Sequence, residues 1–142
     1  SGAIKIAGVT IGDAICWDIA FDGLARENIR HGAQVLVVQT SNATFTGTAQ
    51  PEQQWRISRL RAVETGRYVL IPSTNGITGV VDANGRTAAR AKTETATVVS
   101  AKITLGNGTT PGVRYGGILE TLMVTLGLVG LIVSRRRAKG PE

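Results

Sequence analysis

One cysteine, one histidine and one methionine serve all 142 residues, and Trp, Tyr and Phe occur only twice each. A single cysteine excludes an internal disulfide, so cysteine pairing gives no information about the redox compartment. One Cys and one His cannot close a metal site, and neither a metal nor a cofactor is expected. A broad basic face is also missing. The net charge is +6, yet half of that excess falls in Arg135-Arg136-Arg137-Ala138-Lys139-Gly140-Pro141-Glu142, and the body of the chain is only mildly basic. Nucleic acid would require a distributed basic surface with interleaved aromatics, so no nucleic-acid partner is expected. No internal repeat is present.

What the chain does have is an apolar run. From Gly116 to Ser134 (GGILETLMVTLGLVGLIVS) the only ionisable residue is Glu120, near the start. About 19 residues at ~1.5 Å rise reach roughly 28 Å, close to the thickness of a hydrocarbon core. A buried helix of a soluble domain is the competing explanation. Against it, the run is apolar on every face and ends in three arginines, the flank expected of a membrane span. The chain is therefore divided into a domain over 1–112, a transmembrane helix over 113–134 and a basic tail over 135–142. The positive-inside tendency puts the tail in the cytoplasm and the domain on the outer side, with Glu120 near the outer interface.

In the domain, the stretch Gly12 to Phe21 (GDAICWDIAF) places Cys16 between a short apolar strand and a helix. Such a thiol is a candidate nucleophile, because helix N–H groups aimed at the sulfur favour a thiolate and can hold an oxyanion. A small buried hydrophobe is the plainer role for a lone cysteine. The backbone N–H of Trp17 is the nearest oxyanion donor, while its indole is equally suited to core packing. Asp18 either fixes the elbow, lines the pocket or stabilises the helix end. Asn42 and Phe45 lie on the loop after the next strand, at the edge where parallel sheets present ligands, and are candidate substrate contacts; Phe45 is equally suited to facing lipid. Asn75, followed by Gly76, marks a turn that either approaches the pocket or is a plain tight turn. His31, at a helix end, is given no chemistry.

The remaining pattern alternates element types. Ile4, Ile6 and Val9 read as a strand pattern with which the chain opens, so the chain is read as the C-terminal piece of something longer. Asn42 to Gln50 is a loop. Pro51 suits the first turn of a helix running to about Thr65, with Gly66 as its stop. Ile57, Leu60 and Val63 at spacing three are expected to face the core, with Arg56, Arg59 and Arg61 outward. Arg67 to Pro72 and Thr78 to Asp82 read as strands, the latter closed by Asn84-Gly85 as a hairpin signal. Thr87 to Leu105 reads as a strand pair, and 106–112 as a flexible connection.

Two blocks, ICWDIAFDGLARENIRHGAQVLVVQTSN and RLRAVETGRYVLIPSTNGITGVVDANGR, resemble in order the cysteine elbow and following segment of the nitrilase (carbon–nitrogen hydrolase) superfamily. The stretch from Thr97 to Arg137 is similar to the exit of one branch, the apolipoprotein N-acyltransferases: a last strand, a Thr-Pro turn, an aromatic before the span, then basic residues. The resemblance implies an α/β fold, the C-terminal part of a nitrilase-like α-β-β-α sandwich followed by one transmembrane helix. It implies Cys16 as the nucleophile of a two-step transfer. A fatty acyl group would pass from a phospholipid acyl donor, through a thioester, to the α-amine of the lipidated N-terminal cysteine of an apolipoprotein. The partners so implied are that phospholipid, the apolipoprotein N-terminus and the membrane, and the place a bacterial inner membrane with the catalytic domain on its periplasmic side. The superfamily also uses a Glu base and a Lys upstream of the elbow. Neither position is matched here, since Lys5 and Glu27 fall in other segments and read as surface charges, so the chain alone is expected to be inactive. A membrane-anchored amidase, passing the acyl group to water, and a non-catalytic partner remain alternatives.

Overall fold

The computed structural model describes residues 2–92 and 95–138, with side chains described as far as 135. The order is β1 (Ile4–Ile6), β2 (Val9–Ile15), a 3-10 turn (Cys16–Ala20), α1 (Asp22–Arg30), β3 (Val35–Gln39), a second 3-10 turn (Ala43–Phe45), α2 (Gln50–Thr65), β4 (Val69–Ile71), β5 (Gly79–Val81), β6 (Thr87–Arg90) and α3 (Pro111–Ala138). The strand pattern expected at the start is broken into two strands. Ala7 and Gly8 both take left-handed φ values (+47° and +84°), the geometry of a tight two-residue hairpin, and Ile6 pairs with Val9 across it.

All six strands form one sheet in chain order. β2, β3 and β4 run parallel, and the pairs β1–β2, β4–β5 and β5–β6 are antiparallel. Two successive crossovers that step the same way across a sheet, both right-handed, place their helices on the same face. Their helices α1 and α2 accordingly pack on each other as well as on the sheet. The core beneath them is built from Ala14, Leu36, Val38, Val69, Ile71 and Val81 of the strands with Ile19, Ile29, Trp55 and Ala62 of the helical layer. Alternation in the strands selects this set: Leu36 and Val38 point one way, Val37 the other. α1 approaches β2 closely because position 12 is glycine; a Cβ there would lie 2.7 Å from Leu36 and 2.9 Å from Asn28.

Three expectations are corrected. The buried face of α2 is Gln54, Trp55, Ser58, Ala62 and Thr65, whereas Leu60 and Val63 are exposed. Small and polar side chains let α2 sit low on the sheet, and the larger aliphatic residues are left on its outer side, Val63 beside the loop at Gly85. The hairpin after β5 has a three-residue loop rather than two: the Asp82 N–H bonds the Arg86 carbonyl, the Gly85 N–H bonds the Asp82 carbonyl, and only Gly85 is left-handed (φ +75°). The strand pair expected over Thr87 to Leu105 is realised only as β6; residues 91–92 and 95–105 have no regular structure, and 93–94 lie outside the described residues.

The connection to α3 is pinned rather than free. The Gly106 N–H bonds the Gln34 carbonyl, and Arg67, buried at the C-terminal end of α2, donates to the carbonyls of Ala33, Thr65, Gly66 and Gly108. Burial lowers the pKa of the Arg67 guanidinium. Thr110 caps α3: its hydroxyl accepts the Val113 N–H at 3.2 Å and donates to the Glu64 carbonyl, while Pro111 occupies the first helical position. Val113 inserts into the core. From this foot the helix runs on, and Pro111–Arg135, 25 residues whose most apolar stretch has a mean hydropathy of 2.0, is long and apolar enough to cross a membrane, with none of that stretch buried by the rest of the chain. Of the basic tail, Lys139, Gly140, Pro141 and Glu142 lie outside the described residues.

Candidate active site

Parallel neighbours β2 and β3 end at the same edge, so Cys16, just past β2, and Thr40, just past β3, are brought side by side. The Thr40 hydroxyl oxygen lies 3.4 Å from Cys16 Sγ. Cys16 is half-buried and has φ +52°, a left-handed conformation that costs an L side chain about 1 kcal/mol and persists only where surrounding bonds enforce it. Two such bonds are present. Gln54 of α2 donates from Nε2 to the Cys16 carbonyl at 2.7 Å, and the Ile15 N–H donates to Asp18 Oδ2 at 3.3 Å. Asp18 therefore fixes the elbow directly. The segment after Cys16 is a 3-10 turn rather than the first turn of a longer helix, and α1 begins only at Asp22. The leading N–H groups of such a turn, Trp17 among them, have no acceptor within it.

Behind the sulfur lies a buried polar cluster. Thr40 Oγ1 is 3.2 Å from Gln54 Oε1 and 3.3 Å from Asn42 Oδ1, and Asn42 Nδ2 donates to Gln54 Oε1 at 3.0 Å. Thr40, Asn42 and Gln54 are 8%, 1% and 3% exposed. Asn42 is held from a third side by the turn after β4: its N–H bonds the Asn75 carbonyl at 2.8 Å, and Gly76 (φ +118°) packs against its side chain. Asn42 and Asn75 also border a cavity of about 510 Å³ with Thr48, Ser73, Thr78 and Lys92. Cys16 does not line that cavity. On either side of Cys16 in the chain, Ile15 and Trp17 are exposed, as is Phe21 at the end of the turn.

Of the residues chosen from the sequence, Cys16, Trp17, Asp18 and Asn42 are thus gathered at one edge of the sheet, and Asn75 contributes through its backbone. Phe45 is half-buried on the second 3-10 turn, where its N–H bonds the Asn42 carbonyl. His31 is exposed at the end of α1, and Lys5 and Glu27 are exposed, as befits surface charges. Among the described residues no three His, Cys, Asp or Glu side chains come together as metal ligands. Two members of the cluster were not legible as site residues, Thr40 and Gln54. The signal for Thr40 was its place at the end of a strand parallel to the one that carries Cys16. Gln54 carried no signal of its own, since its contact depends on where α2 lands.

Comparison with known proteins gives concordant matches. A family model described as carbon-nitrogen hydrolase matches residues 2–110. An apolipoprotein N-acyltransferase of Mycolicibacterium smegmatis is 37% identical over 134 residues, covering 94% of this chain and 22% of that protein. That of Shewanella oneidensis is 35% identical over 137 residues, covering 96% and 26%. The chain thus spans about a quarter of the length of the curated relatives it matches. Among solved structures, a carbon-nitrogen hydrolase from Helicobacter pylori superposes with a TM-score of 0.55 at 19% identity over 63% of this chain and 39% of its own. An amidase from Nesterenkonia sp., in a structure whose active-site cysteine has added acrylamide, superposes with a TM-score of 0.54 at 23% identity, over 65% and 38%. These two likenesses establish the nitrilase-like α/β fold.

Proposed function

Because the chain belongs to the carbon–nitrogen hydrolase family, we propose that it carries the nucleophile and membrane anchor of an apolipoprotein N-acyltransferase, with Cys16 as the residue that takes up the acyl group. One observation carries this reading. A strained, half-exposed cysteine at a sheet edge stands in the same chain as a 25-residue apolar helix whose surface the rest of the chain leaves uncovered. The likeness to curated proteins named apolipoprotein N-acyltransferase across almost the whole chain, apolar helix included, supports it.

The chemistry follows from the elbow. Cys16 sulfur, as thiolate, attacks the ester carbonyl of a phospholipid; the carbon–oxygen bond to the glycerol breaks, the lysophospholipid leaves, and an acyl thioester remains on Cys16. The backbone N–H of Trp17 faces the developing oxyanion, and Ile15, Trp17 and Phe21 offer apolar surface to the acyl chain. The α-amine of a lipidated N-terminal cysteine then attacks the thioester, forming the amide and releasing the thiol. Asn42 and Asn75, which border the neighbouring cavity, and Phe45 on the second 3-10 turn are assigned to substrate contacts, and Asp18 holds the elbow closed. The superfamily's glutamate and lysine have no counterpart in these residues, so proton transfer and the second oxyanion donor are assigned to the protein outside this chain, and the chain alone is inactive. α3 crosses the bacterial inner membrane with the basic tail in the cytoplasm and the elbow on the periplasmic face. Both substrates are confined to the bilayer, and a tethered elbow meets them at high effective concentration.

The test is the fate of the acyl group. The whole protein in vesicles is given a labelled phospholipid and a lipopeptide whose N-terminal cysteine has a free amine. Label transferred to the lipopeptide amine supports the transferase; free fatty acid as the sole product supports an amidase-type hydrolysis instead.

A further inference from the structure

We propose that Thr40 and Gln54 are positioning residues for the Cys16 sulfur, the Thr40 hydroxyl acting as a rotor that follows the protonation state of the thiol. The proposal rests on Cys16 being the nucleophile, and it starts from a count of protons. Thr40 Oγ1 lies 3.4 Å from Cys16 Sγ, 3.2 Å from Gln54 Oε1 and 3.3 Å from Asn42 Oδ1, three acceptor atoms around a hydroxyl with one hydrogen. Only one of them is served at a time.

The orientation of Gln54 is set by its surroundings. Its Nε2 faces the Cys16 carbonyl at 2.7 Å and must donate; its Oε1 faces Asn42 Nδ2 at 3.0 Å and must accept. One lone pair of Oε1 is therefore committed to Asn42, and the other is open to Thr40. Two arrangements serve the sulfur and Gln54 Oε1 in turn; in both, Asn42 Oδ1 takes no hydrogen from Thr40. With Cys16 as a thiol, the S–H donates to Thr40 Oγ1 and the Thr40 O–H donates to Gln54 Oε1. With Cys16 as a thiolate, its proton having left to water or to a carboxylate base, the Thr40 O–H turns to the sulfur while Asn42 keeps Gln54 Oε1 satisfied. No heavy atom moves between the two. Burial of Thr40, Asn42 and Gln54 keeps competing water away from the hydroxyl on that side, which strengthens its bond to a charged sulfur.

Gln54 acts a second time, on the backbone. Its 2.7 Å bond to the Cys16 carbonyl restrains the left-handed residue, so one α2 side chain fixes both the peptide and the hydroxyl that serve the sulfur. The same contact ties the elbow to α2, 38 residues further along the chain.

The experiment uses the whole protein in its native membrane and follows alkylation of Cys16 by iodoacetamide, read by mass spectrometry on the tryptic peptide 6–26. Thr40→Val keeps the shape and removes the hydroxyl; Thr40→Ser keeps the hydroxyl; Gln54→Met keeps the length and removes both polar atoms. The expected result is alkylation about tenfold slower in Thr40→Val, the loss of one hydrogen bond to a charged atom. Thr40→Ser is expected to stay within about twofold of the parent, because its donor inventory is the same. Gln54→Met should slow alkylation at least as much as Thr40→Val, at a temperature where circular dichroism shows both variants folded. Parent-like alkylation in Thr40→Val, or equal slowing in Thr40→Ser, overturns the proposal. Alkylation requires no acyl donor, so the outcome stands apart from the proposed activity: slowed Thr40→Val in a protein that transfers no acyl group would refute the transferase and keep the rotor.

Discussion

Arg26 on α1 faces Glu120 on α3 across 3.6 Å, and the same guanidinium holds Glu64 of α2 with an Nε–Oε1 distance of 3.0 Å. Glu64 is shared in turn with Arg61, whose Nε and Nη2 donate to the carbonyls of Ile19 and Ala20 at the end of the cysteine turn. A continuous set of bonds thus runs from the elbow to the foot of the apolar helix. It fixes the direction in which α3 leaves the domain.

The members of this set are unequal. Glu64 is largely buried between two arginines, so Glu64→Ala removes the carboxylate they share, leaves Arg26 with Asp22 and Glu120 and Arg61 with two carbonyls, and is expected to cost about 1–3 kcal/mol. The Glu120 side chain is 60% exposed, and Glu120→Gln should cost under about 1 kcal/mol. Thermal denaturation midpoints of the two variants check the ranking; equal loss would show that the ion pair at the helix foot is as important as the buried one.

Arg67 binds four carbonyls through a planar fork, which an ammonium group cannot reproduce. Arg67→Lys is expected to destabilise by about 1–3 kcal/mol, because one ammonium cannot serve the carbonyls of Ala33, Thr65, Gly66 and Gly108 together. Limited proteolysis should then cut the 106–110 connection sooner than in the parent. Unchanged cleavage would mean that Arg67 does not hold this segment.

Gly76 combines φ +118° with contact against Asn42: a Cβ there would lie 2.5 Å from Asn42 Oδ1. Gly76→Ala should lose about 2–3 kcal/mol from backbone strain alone and displace Asn42 from Gln54. Beyond the stability loss, Cys16 alkylation should slow, because the cluster behind the sulfur is disturbed.

Ala62 is fully buried on α2, while Leu60 is 60% exposed. Ala62→Leu is expected to cost about 1–3 kcal/mol by overpacking, and Leu60→Ala under about 1 kcal/mol. The reverse order in denaturation midpoints would restore the face expected from the Ile57, Leu60, Val63 spacing.

That spacing shows where the sequence was legible and where it was not. The elbow and the apolar helix were readable because each is local: a strand-to-turn junction at Cys16, and one uninterrupted run from Gly116. Pro51 and Gly66 marked α2 for the same reason. Its orientation was not local. Its buried face is written in Gln54, Ser58 and Thr65, which lack a hydrophobic period, and only packing on the sheet reveals it. Gln54 is unreadable for that reason, and with it the cluster behind the sulfur. The absence of a strand over residues 95–105 has a similar origin, since alternating Thr, Ala and Val favours a strand only where a neighbouring strand can pair with it.

The most direct measurement is capture of the acyl group on Cys16. The whole protein in vesicles is incubated with phospholipid in the absence of an amine acceptor, quenched in acid, digested and weighed. The account predicts a peptide 6–26 heavier by one fatty acyl group, which disappears when a lipopeptide amine is added and is absent from Cys16→Ser digested under the same conditions. An acyl group found on another residue, or acyl transfer that persists undiminished in Cys16→Ala, would contradict it.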